Sequence, residues 1–381
     1  MRSLLIYFHW QTLYYNTIMA NDKNTGFWKR LAFTLLGPAN GREVLAAVVR
    51  KQTAHLPLFS FPLDAAAVRR VLVILPPEQL PVLHQLKNVA ALKAYFRNAE
   101  MTLLAEASCT QLAGMVEGVS IIEYRREEKR LFSASFSVFS RTLKDSTGVC
   151  CLLTSSEDLP LLYLAGRTAA PVRIGYAGAG EFPYLNFHVN PSPERRYRAD
   201  RNLAMAEMLG AEKTPDSAWA VARQTTAEID YLVRGISKKS KSGPVGIDAF
   251  YFYRAFGARQ ASEVIKALLP VVKNAVYLYA DETPDASEME WLSRFNLPLM
   301  HHLTVAQLGA LLGHTELVIT GNTLLFGLAT LLGTKAIGVF DKNEIDVYCP
   351  KIAAARGVVF DKTINNETVS GIINAVVELE R

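Results

Sequence analysis

From Arg69 onward the apolar positions alternate between two rhythms: short unbroken runs of strand length, and longer stretches with apolar residues at helical spacing. "RRVLVIL" (69–75) predicts a buried strand, closed by a turn at Pro76 and Pro77 and followed by a helix to about Asn98. "MTLLAE" (101–106) and "GVSIIEY" (118–124) predict the next two strands. "GVCCLLTSSEDLPLLYLAGRTAAPVRIGY" (148–176) predicts a strand, a helix capped by Ser155 or Ser156, and a strand ending at Tyr176. Residues 177–200 are loop-rich, and a helix then runs through Leu209.

"ISKKSKSGPVG" (236–246) breaks the pattern, being basic and serine- and glycine-bearing with no apolar period, and reads as a linker. The alternation then restarts. "IDAFYFY" (247–253) predicts a strand, "RAFGARQ" (254–260) a loop, "ASEVIKALLPVV" (261–272) a helix and "AVYLYA" (275–280) a strand. "DASEMEWLSRF" (285–295) and "LTVAQLGALL" (303–312) predict helices. "ELVITGNTLLFGLATLLGTKAIGVF" (316–340) is a full strand–turn–helix–strand unit, with its polar turn at Gly321, Asn322 and Thr323. "GVVF" (357–360) and "NNETVSGIINAVVELE" (365–380) complete the chain as strand and helix. The expected class is α/β, with two doubly wound Rossmann-like domains facing a cleft. The expected division is an extension over 1–67, a first α/β domain over 68–235, the linker over 236–246 and a second α/β domain with a terminal helix over 247–381. Ligands in such sheets bind outside the carboxyl ends of the strands, where helix N-termini offer free N–H groups to phosphate.

Composition narrows the function. Of 381 residues 50% are hydrophobic, and the net charge is +5, with nine basic against three acidic residues up to Arg70. The body is therefore near neutral, which argues against a nucleic-acid groove. Cys109, Cys150, Cys151 and Cys349 form no CxxC pair and no metal-ligand spacing, so no metal site is expected and reduced thiols in a cytoplasmic setting are. No apolar run reaches the ~18 residues of a spanning helix. The opening "MRSLLIYFHWQTLYY" is a poor signal peptide, and the stretch from Met19 reads as an ordinary cytoplasmic N-terminus. In "GFWKRLAFTLLG" (26–37), Trp28 and Leu35 stand with Lys29 and Arg30, which fits a helix lying on an anionic membrane or one packed on the body of the protein.

Four segments, 69–105, 148–176, 303–323 and 327–340, resemble in register the family 9 glycosyltransferases, which include the heptosyltransferases of lipopolysaccharide assembly. The resemblance spans residue 69 to the C-terminus. It implies a GT-B fold, an ADP-sugar-type donor in the C-terminal domain, an acceptor on the N-terminal domain, and inversion without a metal or cofactor. Where the family has Asp-Thr-Gly and then His, this chain has Asn322, Thr323, Leu324 and then Gly327, so only the threonine matches. Where the family places an Asp as general base, the chain has Pro81. Glu78 in the same loop is the nearby carboxylate, and it would act as base only if burial raised its pKa.

The donor expectation is thus Gly321, Asn322 and Thr323 at the helix N-terminus, with Arg254 and Arg259 neutralising a diphosphate. Asp281 or Asp285, after a strand end, would bind a ribose hydroxyl, Asp285 reading more plainly as a helix N-terminal acid, and Leu303 matches an adenine-facing position. Arg195, Arg196 and Arg198 offer guanidinium forks to the carboxylates and phosphates of an anionic glycolipid acceptor. Each of these residues has a plainer reading as a solvated charge, a helix cap or core. Two functions follow: a heptosyltransferase-type enzyme in the cytoplasm, peripheral on the inner face of the membrane, or a family member without catalysis that binds nucleotide or glycan as a scaffold.

Overall fold

The computed structural model describes residues 43–56, 63–131, 133–143, 148–154, 158–176, 182–211, 227–237 and 243–380. The aromatic–basic stretch around Trp28, the expected caps Ser155 and Ser156, and residues 238–242 of the linker lie outside these.

The strands are β1 Arg70–Ile74, β2 Glu100–Glu106, β3 Ser120–Tyr124, β4 Val149–Leu152, β5 Val172–Tyr176, β6 Phe187–Val189, β7 Val245–Asp248, β8 Val276–Ala280, β9 Leu299–His301, β10 Leu317–Gly321, β11 Lys335–Asp341 and β12 Ala355–Phe360. They form two six-stranded sheets, ordered β3-β2-β1-β4-β5-β6 and β12-β11-β10-β7-β8-β9. Pairing through both is parallel. Each sheet reverses direction beside its first strand, at β1/β4 and at β7/β10, which is the doubly wound order.

The helices are α1 over residues 43–53, then α2 Gln79–Tyr95, α3 Thr110–Ala113, α4 Ala134–Thr142, α5 Leu159–Arg167, α6 Arg198–Leu209, α7 Ala227–Ser237, α8 Ala249–Leu268, α9 Ala286–Ser293, α10 Val305–His314, α11 Leu324–Leu332, α12 Ile345–Tyr348 and α13 Asn366–Glu380. The described residues fall into two compact units. One holds the chain up to Leu75, Phe96–Ala107 and Ile122–Asn190; the other holds Pro76–Tyr95, Ser108–Ile121 and everything from Pro191.

In the first unit Leu45, Ala46 and Val49 of α1 are buried with Leu72, Ile74, Leu104, Cys150, Leu152 and the apolar face of α5. One face of α1 thus packs into the core of this unit. Asp158, not a serine, caps α5: its carboxylate accepts the Leu161 N–H. Cys150 and Cys151 are free and fully buried, and burial pushes the Cys150 thiol up to about 12.

In the second unit α2 packs on α6 and on α11. The main core lies under α8, α9 and α13 against β7, β8, β10 and β11. Two expectations fail here. "IDAFYFY" is a strand only to Asp248, whose carboxylate accepts the Tyr251 N–H and caps α8, so the aromatic run is its first two turns. The alternation of Phe250 and Phe252 with Tyr251 and Tyr253 imitates a period of two, but the cap fixes a helix. "RAFGARQ" is not a loop either: helix continues through it, broken only at Gly257, with φ 79° and ψ 164°. The short strands β6 and β9 and the helices α4, α7 and α12 were not anticipated.

Candidate functional site

The carboxyl ends of β7 and β10, flanking the reversal of the second sheet, carry three linked polar side chains. Asp248 ends β7 and is 3% exposed. Its Oδ1 accepts the Tyr251 N–H at 2.9 Å, and its Oδ2 lies 2.6 Å from the Thr320 hydroxyl. Thr320 Oγ1 in turn lies 2.9 Å from Thr323 Oγ1. Burial pushes the Asp248 carboxyl up to about 6, against the opposing effect of its bonds to Thr320 and Tyr251; Asp281 adds to the rise and Arg254 lowers it.

These groups open on a cavity of about 780 Å³ whose lining belongs entirely to the second unit. Phe250, Tyr251 and Arg254 of α8 form one wall, and Tyr279, Asp281 and Glu282 at the end of β8 another. Thr323, Leu324 and Leu325 bring the start of α11, where Thr323 is the N-cap and its hydroxyl takes the Phe326 N–H at 3.4 Å. Leu303, Thr304 and Val305 bring the start of α10, held by a capping box between Thr304 and Gln307. Gln111 reaches the same place, its Oε1 accepting the Val305 N–H at 2.9 Å. The lining therefore sets three carboxyl groups, Asp248, Asp281 and Glu282, against the one guanidinium of Arg254. Among the described residues no cluster of His, Cys, Asp and Glu is arranged to hold a metal.

Four of the sequence candidates meet here: Thr323, Arg254, Asp281 and Leu303 all line the cavity. Arg254 stacks 4.5 Å above the Phe250 ring and pairs with Asp281 at 3.3 Å and Glu282 at 3.1 Å. The guanidinium and the carboxylate expected to hold different parts of a donor thus hold each other.

The other candidates do not line it. Gly321 is buried beneath the Tyr251 ring, where an added Cβ would lie 1.9 Å from a ring carbon; it is there so that Tyr251 can reach across and donate its hydroxyl to the Val339 carbonyl at 2.9 Å. Asn322 is half-buried beside the lining. Arg259 is exposed and pairs with Glu263 one helical turn on. Glu78 stands exposed just before α2, whose first turn its carbonyl closes by accepting the Val82 N–H. Pro81 sits in that first turn, where a missing N–H costs nothing. Arg195 pairs with Glu207, and Arg196 with Asp346. Arg198 opens α6; burial, helped by the charge of Arg198, holds His84 down to about 4. Gly327 on α11 lies against α2, where an added Cβ would meet Leu83 Cδ2 at 2.2 Å.

Sequence reasoning passed over Asp248, Tyr251 and Tyr279. One signal was present: Asp248 is a lone acid inside the apolar stretch "PVGIDAFYFY". A charge placed there is costly unless it serves a purpose.

No family model and no curated protein matches the chain. Solved structures do. A family 9 glycosyl transferase from Veillonella parvula superposes with a TM-score of 0.67 at 14% identity, over 84% of this chain and 99% of that one. The ADP-heptose lipopolysaccharide heptosyltransferase II of E. coli gives 0.61 at 16% identity, over 81% and 98%. The E. coli heptosyltransferase WaaC with ADP-2-deoxy-2-fluoro heptose gives 0.59 at 13% identity, over 81% and 99%. At these identities the likeness is one of fold, and the chain has the α/β fold of those glycosyltransferases, with its two six-stranded parallel sheets.

Proposed function

We propose that the protein is a glycosyltransferase that moves a heptose-like sugar from a nucleotide-diphosphate sugar, an ADP-sugar by preference, to a lipopolysaccharide core or another cell-envelope glycan. The observation that carries the reading is the cavity at the β7/β10 reversal. There a capped helix start, a hydroxyl and a guanidinium stand beside apolar walls, in a fold shared with a heptosyltransferase that holds an ADP-sugar analogue. The diphosphate lies against Thr323 and the first N–H groups of α11, the nucleoside against Leu303 and Val305, and the ribose near Asp281. Arg254 leaves its two carboxylates to meet the phosphate charge that develops as the bond to the sugar breaks. The acceptor hydroxyl attacks from the opposite face, which inverts the sugar carbon without a metal. Glu78 is the base of this reading on the strength of its loop position. Arg195, Arg196 and Arg198 are the contacts to an anionic glycolipid, with the protein peripheral on the inner face of the cytoplasmic membrane.

The second reading, a member without turnover that binds nucleotide or glycan, is favoured by the acid-rich lining and by Gly327, where Leu83 fills the place of a side chain. Thermal stabilisation by a panel of nucleoside diphosphates and their sugars tests both. A ligand at a hundred times its dissociation constant adds about 2.7 kcal/mol. Release of free nucleotide with an anionic glycolipid acceptor supports the enzyme; stabilisation without release supports the binder. No stabilisation by any nucleotide rejects the enzyme and the nucleotide binder, and leaves the glycan binder to be tested with the glycolipid acceptor alone.

A further inference from the structure

We infer that Asp248 is a positioning residue: through Thr320 it decides whether Thr323 offers the cavity a hydrogen or a lone pair, so that an anionic ligand is taken up together with one proton. The inference rests on the proposed reading of the cavity as a diphosphate site. It deepens that reading by naming what tunes the site.

Asp248, Thr320 and Thr323 form a chain of three side chains along which the protons can be counted. Thr320 is fully buried, and its hydroxyl lies between Asp248 Oδ2 at 2.6 Å and Thr323 Oγ1 at 2.9 Å. Each hydroxyl has one hydrogen to give. When Asp248 is ionised it can only accept, so Thr320 donates to it and Thr323 donates to Thr320. The half-buried Thr323 oxygen then shows the cavity lone pairs alone, and a phosphate oxygen, itself only an acceptor, is turned away. When Asp248 carries a proton on Oδ2 every arrow reverses. Asp248 donates to Thr320, Thr320 donates to Thr323, and the Thr323 hydrogen is released toward the cavity. The Asp248 Oδ1 bond to the Tyr251 N–H at 2.9 Å holds the carboxyl plane in both states, so the switch needs no movement of the backbone.

The groups around Asp248 place the change in a usable range. From β8, Tyr277 and Tyr279 face it, and from the turn beyond β8 so does Asp281. From α8 come the Tyr251 side chain and N–H and the Arg254 guanidinium, and from β10 the Thr320 hydroxyl. Burial and Asp281 raise the carboxyl, while Thr320, Tyr251 and Arg254 hold it down, leaving it at about 6. A bound anion raises it further, so proton uptake is largest just above that value.

The test is calorimetric titration of the full chain with ADP-glucose, whose diphosphate diester holds no titrating proton near neutrality. It is run across the neutral range in two buffers of unequal ionisation enthalpy. The wild type should bind with proton uptake, its affinity falling by up to about tenfold per pH unit above pH 6, the limit for one linked proton. Asp248→Asn fixes the donating state, with Oδ1 on Tyr251 N–H and Nδ2 on Thr320, and should bind with a flat pH profile and no uptake. Thr320→Val keeps the carboxyl and cuts the chain, and should also lose the slope; Thr320→Ser restores the hydroxyl and should restore it. A slope that survives in Thr320→Val means that the carboxylate acts by charge alone and overturns the inference, as does a flat wild-type profile. Absence of ADP-glucose binding by both the wild type and Asp248→Asn overturns the diphosphate reading itself, and this inference with it.

Discussion

Arg173 on β5 of the first unit and Asp248 at the end of β7 in the second are both 3% exposed, and their surroundings differ in kind. Arg173 is closed off by backbone: Nε donates to the Tyr184 carbonyl at 3.0 Å, Nη1 to Ala170 at 2.6 Å and Nη2 to Pro183 at 3.1 Å. Burial pulls its guanidinium down from the usual range, and each of its three nitrogens donates to a backbone carbonyl. It ties three backbone carbonyls together in the interior of the first unit. Asp248 is held by one N–H and one hydroxyl, and the hydroxyl leads outward to Thr323 at the cavity. The difference separates a buried charge that holds a fold from one that serves a site: the first ends in carbonyls, the second in a movable proton.

The largest expected effect belongs to the arginine. Arg173→Ala leaves three carbonyls unpaired and should cost about 3 to 4 kcal/mol in urea unfolding, with ADP-glucose affinity unchanged under folding conditions. A stable Arg173→Ala protein would break the comparison on its structural side. Asp248→Asn should act in the opposite direction. A carboxyl raised on folding binds its proton more tightly in the native state. Wild-type stability therefore falls as pH rises from the unfolded value through about 6, and is level above it. Removing that penalty should stabilise the protein by about 3 kcal/mol near pH 8 and by well under about 1 kcal/mol near pH 4. Denaturant titrations at the two pH values check this, and an equal effect at both would break the comparison on its functional side. Thr323→Ala should weaken ADP-glucose binding by about 0.5 to 1.5 kcal/mol, which calorimetry resolves. Smallest is Arg259→Ala. It removes an exposed pair with Glu263 and should change stability by under about 0.5 kcal/mol and binding not at all. A loss of affinity there would put part of the ligand outside the cavity.

The frame of the fold was legible because buried parallel strands read as unbroken apolar runs, and β1, β2, β4, β5, β8, β10 and β11 lie where those runs do. The three-residue strands β6 and β9 carry too few apolar positions to show a period. The start of α8 was misread because its helix is set by one hydrogen bond, from the Tyr251 N–H to Asp248, and not by its apolar spacing. Within the site, Thr323, Arg254, Asp281 and Leu303 were legible from loop position and residue type, and the cavity gathers them. Asp248 was not, because its meaning depends on Thr320, which lies 72 positions away in sequence and is its neighbour only once β7 and β10 pair. Arg259 looked equivalent to Arg254 in the sequence. The break at Gly257 stands between them, and Arg259 points to solvent.

The contact of Gly327 with Leu83 also couples two positions on neighbouring helices. The first carbon of a side chain at 327 would lie 2.2 Å from Leu83 Cδ2, so the end of Leu83 must turn aside before position 327 can be enlarged. Shortening Leu83 while position 327 stays glycine would leave a void between α2 and α11. Deleting buried methyls at such a contact typically costs about 2 to 5 kcal/mol. The two positions thus share one volume, and the size of either sets the room left for the other.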